Sequence, residues 1–206
     1  PIAYILGYKE FYGRRFTVSP SVLIPRPESE DLISLFLELT ASEIAEKVLI
    51  DVGAGSGCLG ITAKLERSNL SVILSDISKP TLNIAEKNAN ALNADVHIQQ
   101  QSLLNGQLRP VDYIFANLPY VDKSWDVSPE LKYEPEIALF AEDEGLKLIL
   151  QLISQAPRCL TSEGLLFIEA DPQQHNRIID EAVKNGFVKE RVLNYILVLR
   201  FTGTQD

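Results

Sequence analysis

The segment KVLIDVGAGSG, residues 47–57, is the part of the sequence that decides the fold. Its first six residues, Lys47–Val52, have the apolar and β-branched composition of a buried strand, and three glycines follow. Residues 58–65 then have the composition of a helix. A buried strand that passes through a glycine turn into a helix is typical of α/β proteins with a parallel sheet.

The rest of the chain repeats this alternation of strands and helices. Further strands are predicted at 72–76, 96–99, 113–116 and 165–169, with helices from Ser78 and over 146–156 and 174–185. The last two β-rich runs, 187–193 and 195–201, are separated only by Asn194, which is too short for a crossover helix, so they predict an antiparallel hairpin. The predicted fold is α/β, with a seven-stranded, mostly parallel sheet that ends in an antiparallel hairpin. This is the outline of a class I, Rossmann-like methyltransferase.

The residues before the sheet predict a small separate element. Residues 10–18 are rich in aromatic and β-branched residues around Gly13 and predict a β-hairpin. A proline-rich stretch at 24–28 ends regular structure, and a helix from Ser29 places Leu32, Phe36 and Leu39 at helical spacing. We therefore divide the chain into a hairpin and linker segment at 1–30 and a methyltransferase domain at 31–206.

Composition excludes several classes of function. The 206 residues are 46% hydrophobic, which is enough for one substantial core, and the formal net charge is −9. This charge repels polyanions, so direct nucleic-acid binding is not expected. The isolated residues Cys58, Cys159, His97 and His175 lack the spacing of a metal site, and no metal is expected. No apolar run is long enough for a membrane helix, so we expect a cytoplasmic protein without a membrane partner.

The glycine turn is the candidate cofactor site. Glycines there let the backbone approach a ligand, and the following helix offers free N–H groups to a carboxylate. Gly55, Gly57 and Gly60 also match the pattern of a dinucleotide-binding loop. The carboxylate of Asp51, however, would repel the pyrophosphate of a dinucleotide, whereas it suits the positively charged ammonium and sulfonium groups of S-adenosylmethionine (AdoMet). Asp76 follows the second strand and can accept ribose hydroxyls of either cofactor. The candidate cofactor residues are Asp51, Gly53, Ala54, Gly55, Ser56, Gly57 and Asp76.

The candidate catalytic loop is Asn117-Leu118-Pro119-Tyr120, directly after the strand at 113–116. The doubly wound topology places this loop beside the glycine turn. An amide or exocyclic amine is a poor nucleophile, so both of its N–H bonds must be held by acceptors while its lone pair points at the methyl group. The Asn117 side chain and a neighbouring carbonyl can supply these acceptors, Pro119 stiffens the turn, and the Tyr120 ring can cover a planar group.

Three further stretches resemble the HemK/PrmC family, the N5-glutamine methyltransferases of peptide chain release factors. They are PIAYILG with FYG (1–7 and 11–13), VLIPRPESE (22–30), and YEPEIAL with DEGL (133–139 and 143–146). The resemblance implies that the AdoMet site includes Leu103 and Asn117, and that Asn117 and the Leu118 carbonyl also hold the substrate glutamine. It also implies a release factor as partner and an N-terminal helical docking domain, which would precede Pro1 and is absent from this sequence.

The sequence departs from the family pattern at three places. The usual Asn-Pro-Pro-Tyr is here Asn117-Leu118-Pro119-Tyr120, Ser102 replaces an acidic residue, and Glu-Ile-Gly has become Glu169-Ala170-Asp171. Two alternatives stay open. Asn-Leu-Pro-Tyr is also typical of ribosomal-RNA adenine N6-dimethyltransferases, in which the same acceptors hold an exocyclic amine, so an RNA or DNA adenine N6-methyltransferase is one alternative. The second alternative is a catalytically inactive binding protein that has the AdoMet fold.

Overall fold

A computed structural model describes residues 1–126 and 128–203. Its strands are β1 (Tyr8–Phe11), β2 (Arg14–Thr17), β3 (Lys47–Val52), β4 (Leu70–Asp76), β5 (His97–Gln100), β6 (Val111–Ala116), β7 (Leu160–Glu169), β8 (Phe187–Leu193) and β9 (Ile196–Phe201). The α-helices are α1 (Ile2–Leu6), α2 (Glu30–Leu39), α3 (Cys58–Glu66), α4 (Lys79–Ala91), α5 (Glu136–Leu139), α6 (Lys147–Gln155) and α7 (His175–Lys184). Short 3-10 helices include Pro27–Ser29 and Pro172–Gln174.

The main sheet has seven strands in the order β5-β4-β3-β6-β7-β9-β8. Strands β5, β4, β3, β6 and β7 run parallel, whereas β9 is antiparallel to both β7 and β8. The chain crosses from β5 on one side of β3 to β6 on the other, so the topology changes direction at β3. In such sheets ligands bind beyond the carboxyl ends of the strands at this position. The predicted fold class is therefore confirmed.

Apolar side chains alternate between the two faces of the sheet, and each face has its own core. Leu49 of β3 lies in the core formed with α2, α3, α4 and the β1–β2 hairpin. Ile50, the next residue, lies in the core formed with α6 and α7. This alternation follows from the two-residue period of a strand, and helices on both faces explain why β3 is apolar throughout its centre.

The N-terminal hairpin packs against the rest of the chain. Its strands meet at Tyr12 and Gly13, both at positive φ, as a tight two-residue hairpin turn requires. Phe11 and Phe16 lie in the same core as Phe36 of α2, and Asn88 of α4 hydrogen-bonds the backbone of Thr17. The hairpin is as predicted from the sequence; the division of the chain at residues 30 and 31 stays a prediction.

Several element boundaries differ from those predicted. Helix α1 was not predicted, because five residues are too few for a periodic signal. Strand β7 begins at Leu160, earlier than predicted, and β9 begins at Ile196 because Asn194 and Tyr195 form the turn together. Asn194 has φ 51°, a conformation that asparagine tolerates better than most residues. None of these differences moves a strand end at the sheet edge that carries the candidate site.

Candidate active site

A cavity of about 270 Å³ lies beyond the carboxyl ends of β3, β4, β5 and β6. Strand pairing explains why these ends meet: Val52 lies beside Ser75 of β4 on one side and Ala116 of β6 on the other. The loops after the strands therefore open on one crevice, as predicted. The candidate residues that line it are Gly53, Ala54, Gly55, Ser56, Asp76, Leu103, Asn117, Leu118 and Pro119.

Asp51, Gly57 and Tyr120 lie outside the residues that line this cavity. Asp51 is 1% exposed, and its Oδ2 accepts a hydrogen bond from Gly60 N at 2.8 Å. Burial raises the pKa of Asp51 to about 7, which the Gly60 N–H partly opposes. Gly57 precedes α3 in the left-handed region, and a Cβ there would lie 2.8 Å from Ile61. Asp51 and Gly57 thus hold the start of α3 from behind the glycine loop.

Asp76 fixes the rim of the cavity. Its Oδ2 accepts from Gly55 N at 3.2 Å, and its Oδ1 accepts from Ser78 N at 2.9 Å. Burial raises the pKa of Asp76, and the backbone donors oppose this rise. Each carboxylate oxygen has two lone pairs, so both retain acceptor capacity for a ligand. The same side chain can therefore shape the glycine loop and bind hydroxyl groups.

The glycine loop and the Asn117 loop touch each other. A Cβ on Gly53, which has φ +70°, would lie 2.9 Å from Leu118 Cδ2. Only glycine avoids both the left-handed strain and this contact. Leu118 is itself buried and lines the cavity, so the loop after β6 packs directly on the loop after β3.

The Asn117 side chain has a fixed partner. Its Nδ2 donates to the hydroxyl of Ser29 at 3.2 Å, across 88 positions of sequence. Because the two polar atoms of a carboxamide diverge, Oδ1 is directed away from Ser29. Asn117 also lines the cavity, so this orientation offers an acceptor to a ligand.

Glu169 stands at the end of β7, next to this loop. It is 2% exposed, and its Oε1 accepts from the Tyr120 hydroxyl at 3.4 Å. Burial raises the pKa of Glu169, whereas the side chains of Ser29, Tyr120 and Asn117 oppose that rise. Sequence reasoning missed Ser29 and Glu169 as site residues. A polar residue at the end of the apolar strand β7 was the available signal for Glu169.

The backbone after Pro119 is held by two residues that the sequence analysis also missed. Gln174 Nε2 donates to the carbonyls of Tyr120 at 2.8 Å and Glu144 at 2.9 Å. Gly145 has φ +82°, and a Cβ there would lie 2.0 Å from the Tyr120 oxygen. Asp171, one of the departures from the family pattern, caps the Pro172–Gln174 helix by accepting from Gln173 N. It thereby helps to place Gln174.

A strap, residues 21–26, also lines the cavity. Glu134 accepts from Ile24 N at 3.1 Å and forms an ion pair with Arg26. The carbonyls of Ser21 and Val22 accept from Thr81 Oγ1 and the Tyr4 hydroxyl. The proline-rich segment that resembles the family therefore owes its position to side chains from three other parts of the chain, Tyr4, Thr81 and Glu134.

The described residues contain no group of three or more His, Cys, Asp and Glu side chains arranged to hold a metal ion. Within 1–126 and 128–203, none of the helices combines the length and apolar character that a membrane span needs.

Comparisons with known proteins identify the family. The family model of the methyltransferase small domain matches residues 30–132 of this chain. The release factor glutamine methyltransferase of Neisseria gonorrhoeae is 40% identical over 200 residues, which are 94% of this chain and 71% of that relative. This chain belongs to the release factor glutamine methyltransferase family.

Solved structures agree on the fold of this methyltransferase. A ribosomal-protein methylase from Lactobacillus delbrueckii subsp. bulgaricus is 26% identical with a TM-score of 0.64, covering 90% of this chain and 84% of that one. A 16S rRNA methyltransferase of T. thermophilus, solved with AdoMet and guanosine, has a TM-score of 0.68 at 17% identity, covering 95% of this chain and 50% of that one. The family membership predicted from the sequence is confirmed.

Proposed function

We propose that this chain transfers a methyl group from AdoMet to the side-chain amide of the Gly-Gly-Gln glutamine in peptide chain release factors. The observation that carries the proposal is the Asn117 carboxamide, which Ser29 holds at the cavity wall with its oxygen available. The name of the Neisseria gonorrhoeae relative supports the same substrate.

The residues around the cavity fit AdoMet. Asp76 supplies a carboxylate for the ribose hydroxyls. The backbone of the glycine loop Gly53–Gly57 can approach the ligand closely. Gln101 also lines the cavity, and its buried Nε2 has no hydrogen-bond partner in the described part of the chain, so a ligand acceptor there would satisfy it. Leu103 adds an apolar surface next to Ser102, which offers a hydroxyl where the family has an acid. AdoMet supplies the electrophilic methyl group.

The loop after β6 fits the amide substrate. The lone pair of an amide nitrogen is delocalised, so the protein must hold both N–H bonds to expose it. Asn117 Oδ1 accepts one N–H and the Leu118 carbonyl accepts the other. Pro119 restricts the backbone beside them, and Tyr120 ties the end of the loop to Glu169. Tyr120 is not among the residues that line the cavity, so its cover over the bound amide remains a prediction.

Methyl transfer itself is the test. Tritium-labelled AdoMet is incubated with the protein in its full natural length and, in parallel, with a release factor, ribosomal RNA or DNA. We expect label in the release factor and none in a release factor whose target glutamine is replaced by asparagine. Label in RNA or DNA instead would establish the adenine alternative, and binding of AdoMet without any transfer would establish the inactive one.

The site assignment is tested with Asn117→Ala. Loss of one preorganised acceptor lowers kcat by about two to three orders of magnitude. AdoMet affinity, measured by calorimetry, stays near wild type because the proposed ribose contact is at Asp76. Asn90→Ala, an exposed asparagine of α4, is the matched control and keeps wild-type kcat. Wild-type kcat in Asn117→Ala would overturn the assignment.

A further inference from the structure

A buried carboxyl group lies behind the candidate catalytic loop. Glu169 follows Ile168, which pairs with Ala116, so Glu169 of β7 and Asn117 after β6 emerge side by side from the sheet. The Oε2 atom of Glu169 is buried and makes no hydrogen bond with the described residues. Buried carboxyl oxygens without partners are unusual in proteins and require an explanation.

The groups around Glu169 are mostly donors. The Tyr120 hydroxyl donates to its Oε1 at 3.4 Å. Ser29, which is 2% exposed, accepts from Asn117 Nδ2 and keeps its own hydroxyl proton free to face the carboxyl group. The Ser29, Tyr120 and Asn117 side chains together oppose the burial that raises the pKa of Glu169. A carboxylate at Glu169 therefore has neighbours that can donate hydrogen bonds to it.

This arrangement discriminates between the two orientations of the Asn117 carboxamide. In the observed orientation the amino group donates to Ser29, and the Asn117 side chain is one of those that oppose the rise in the pKa of Glu169. Rotation of the carboxamide by half a turn would bring Oδ1, an acceptor, against a carboxylate that can only accept. Such a pair of buried acceptors is strongly unfavourable at low local dielectric.

We infer that Glu169 is a positioning residue, which acts through Ser29 and the amino group of Asn117 to keep the Asn117 oxygen directed into the cavity. The inference rests on the proposed function, since it concerns the acceptor that would hold the substrate amide. Glu169 does not line the cavity, so it controls the reaction only through its neighbours.

A double-mutant cycle separates this role from a general structural one. Glu169→Gln keeps the size of the side chain but adds an amino group, which tolerates either orientation of Asn117. We expect kcat for the release factor to fall about tenfold, with unchanged AdoMet affinity, because misplaced reacting groups lose rate. In an Asn117→Ala background the same substitution has no further effect on kcat, since the residue through which it acts is gone.

Glu163→Gln is the matched control. Glu163 lies on the same strand, is 61% exposed and pairs with Arg200, so its substitution leaves kcat unchanged in both backgrounds. Thermal unfolding of each variant shows whether a loss of rate comes from loss of fold. If the effects of Glu169→Gln and Asn117→Ala multiply, or if Glu169→Gln keeps wild-type kcat, the inference is wrong.

A second measurement needs no substrate and so distinguishes this inference from the proposed function. The Asn117 side-chain amide gives a ¹⁵N NMR resonance, assigned by its loss in Asn117→Ala. We expect Glu169→Gln and Ser29→Ala to shift this resonance and Glu163→Gln to leave it in place. A shift without methylation of the release factor contradicts only the proposed function, whereas an unmoved resonance overturns the positioning role.

Discussion

The contact between Glu134 and the strap over residues 21–26 allows a quantitative prediction. Glu134→Ala removes both acceptors, the one for Ile24 N and the one for Arg26. Ile24 is buried, so its unpaired N–H costs about 1–3 kcal/mol. The Arg26 side chain is 33% exposed, so solvent screening reduces its share to about 1 kcal/mol. We expect a total loss of about 2–4 kcal/mol in the free energy of unfolding.

Urea unfolding and calorimetry with AdoMet measure the two consequences of Glu134→Ala. The unfolding midpoint falls, and AdoMet affinity falls as well, because Ile24 and Arg26 line the cavity. Glu134→Gln keeps one acceptor for Ile24 N and loses about half as much stability. Glu136→Ala, at an exposed position on the next turn, is the control and unfolds like wild type. If Glu134→Ala stays within 0.5 kcal/mol of wild type, roughly the scatter of surface substitutions, the strap is not held in this way.

Three other substitutions have defined outcomes. Asp76→Asn keeps one acceptor oxygen but loses the negative charge. We expect AdoMet binding, measured by calorimetry, to weaken by on the order of 2 kcal/mol, or about 30-fold. Unchanged affinity would place the ribose elsewhere. Gly145→Ala clashes with the Tyr120 carbonyl and forces a left-handed alanine, so urea unfolding should show a loss of at least about 1 kcal/mol; wild-type stability would contradict this contact. Leu118→Pro restores the usual family motif and keeps the carbonyl acceptor, so single-turnover methylation should proceed near the wild-type rate. An inactive variant would show that the loop needs the buried Leu118 side chain or its N–H.

The sheet was predictable because its signals are local. The apolar run of β3 and the glycine turn after it lie within residues 47–57, and Ser78 caps α4 as its position before Pro80 predicts. The final hairpin was predictable because its two runs are too close for any other connection. Helices α1 and α5 have five and four residues and carry no periodic pattern, so they could not be predicted from local signals.

The candidate site was predictable only in part. Residues that follow strand ends, such as Asp76 and Asn117, can be placed together from topology alone. The positions of Asp51 and Tyr120 could not, because the direction of a side chain at a strand end depends on what packs around it. Ser29, Glu134 and Glu169 were missed for a related reason: their partners lie 49 to 110 positions away in the sequence.

Aromatic packing explains how Ser29, Asn117 and Glu169, which are distant in the sequence, come to lie close together in the site. Ser29 directly precedes α2, and Phe36 of that helix contacts Phe115 at 5.2 Å and Phe167 at 5.9 Å between ring centroids. Phe115 lies on β6 two residues before Asn117, and Phe167 lies on β7 two residues before Glu169. The three rings make edge-to-face contacts, an arrangement with a defined geometry. Because each ring fixes the element that carries one polar residue, the orientation of Asn117 depends on the core as well as on the hydrogen bonds around it.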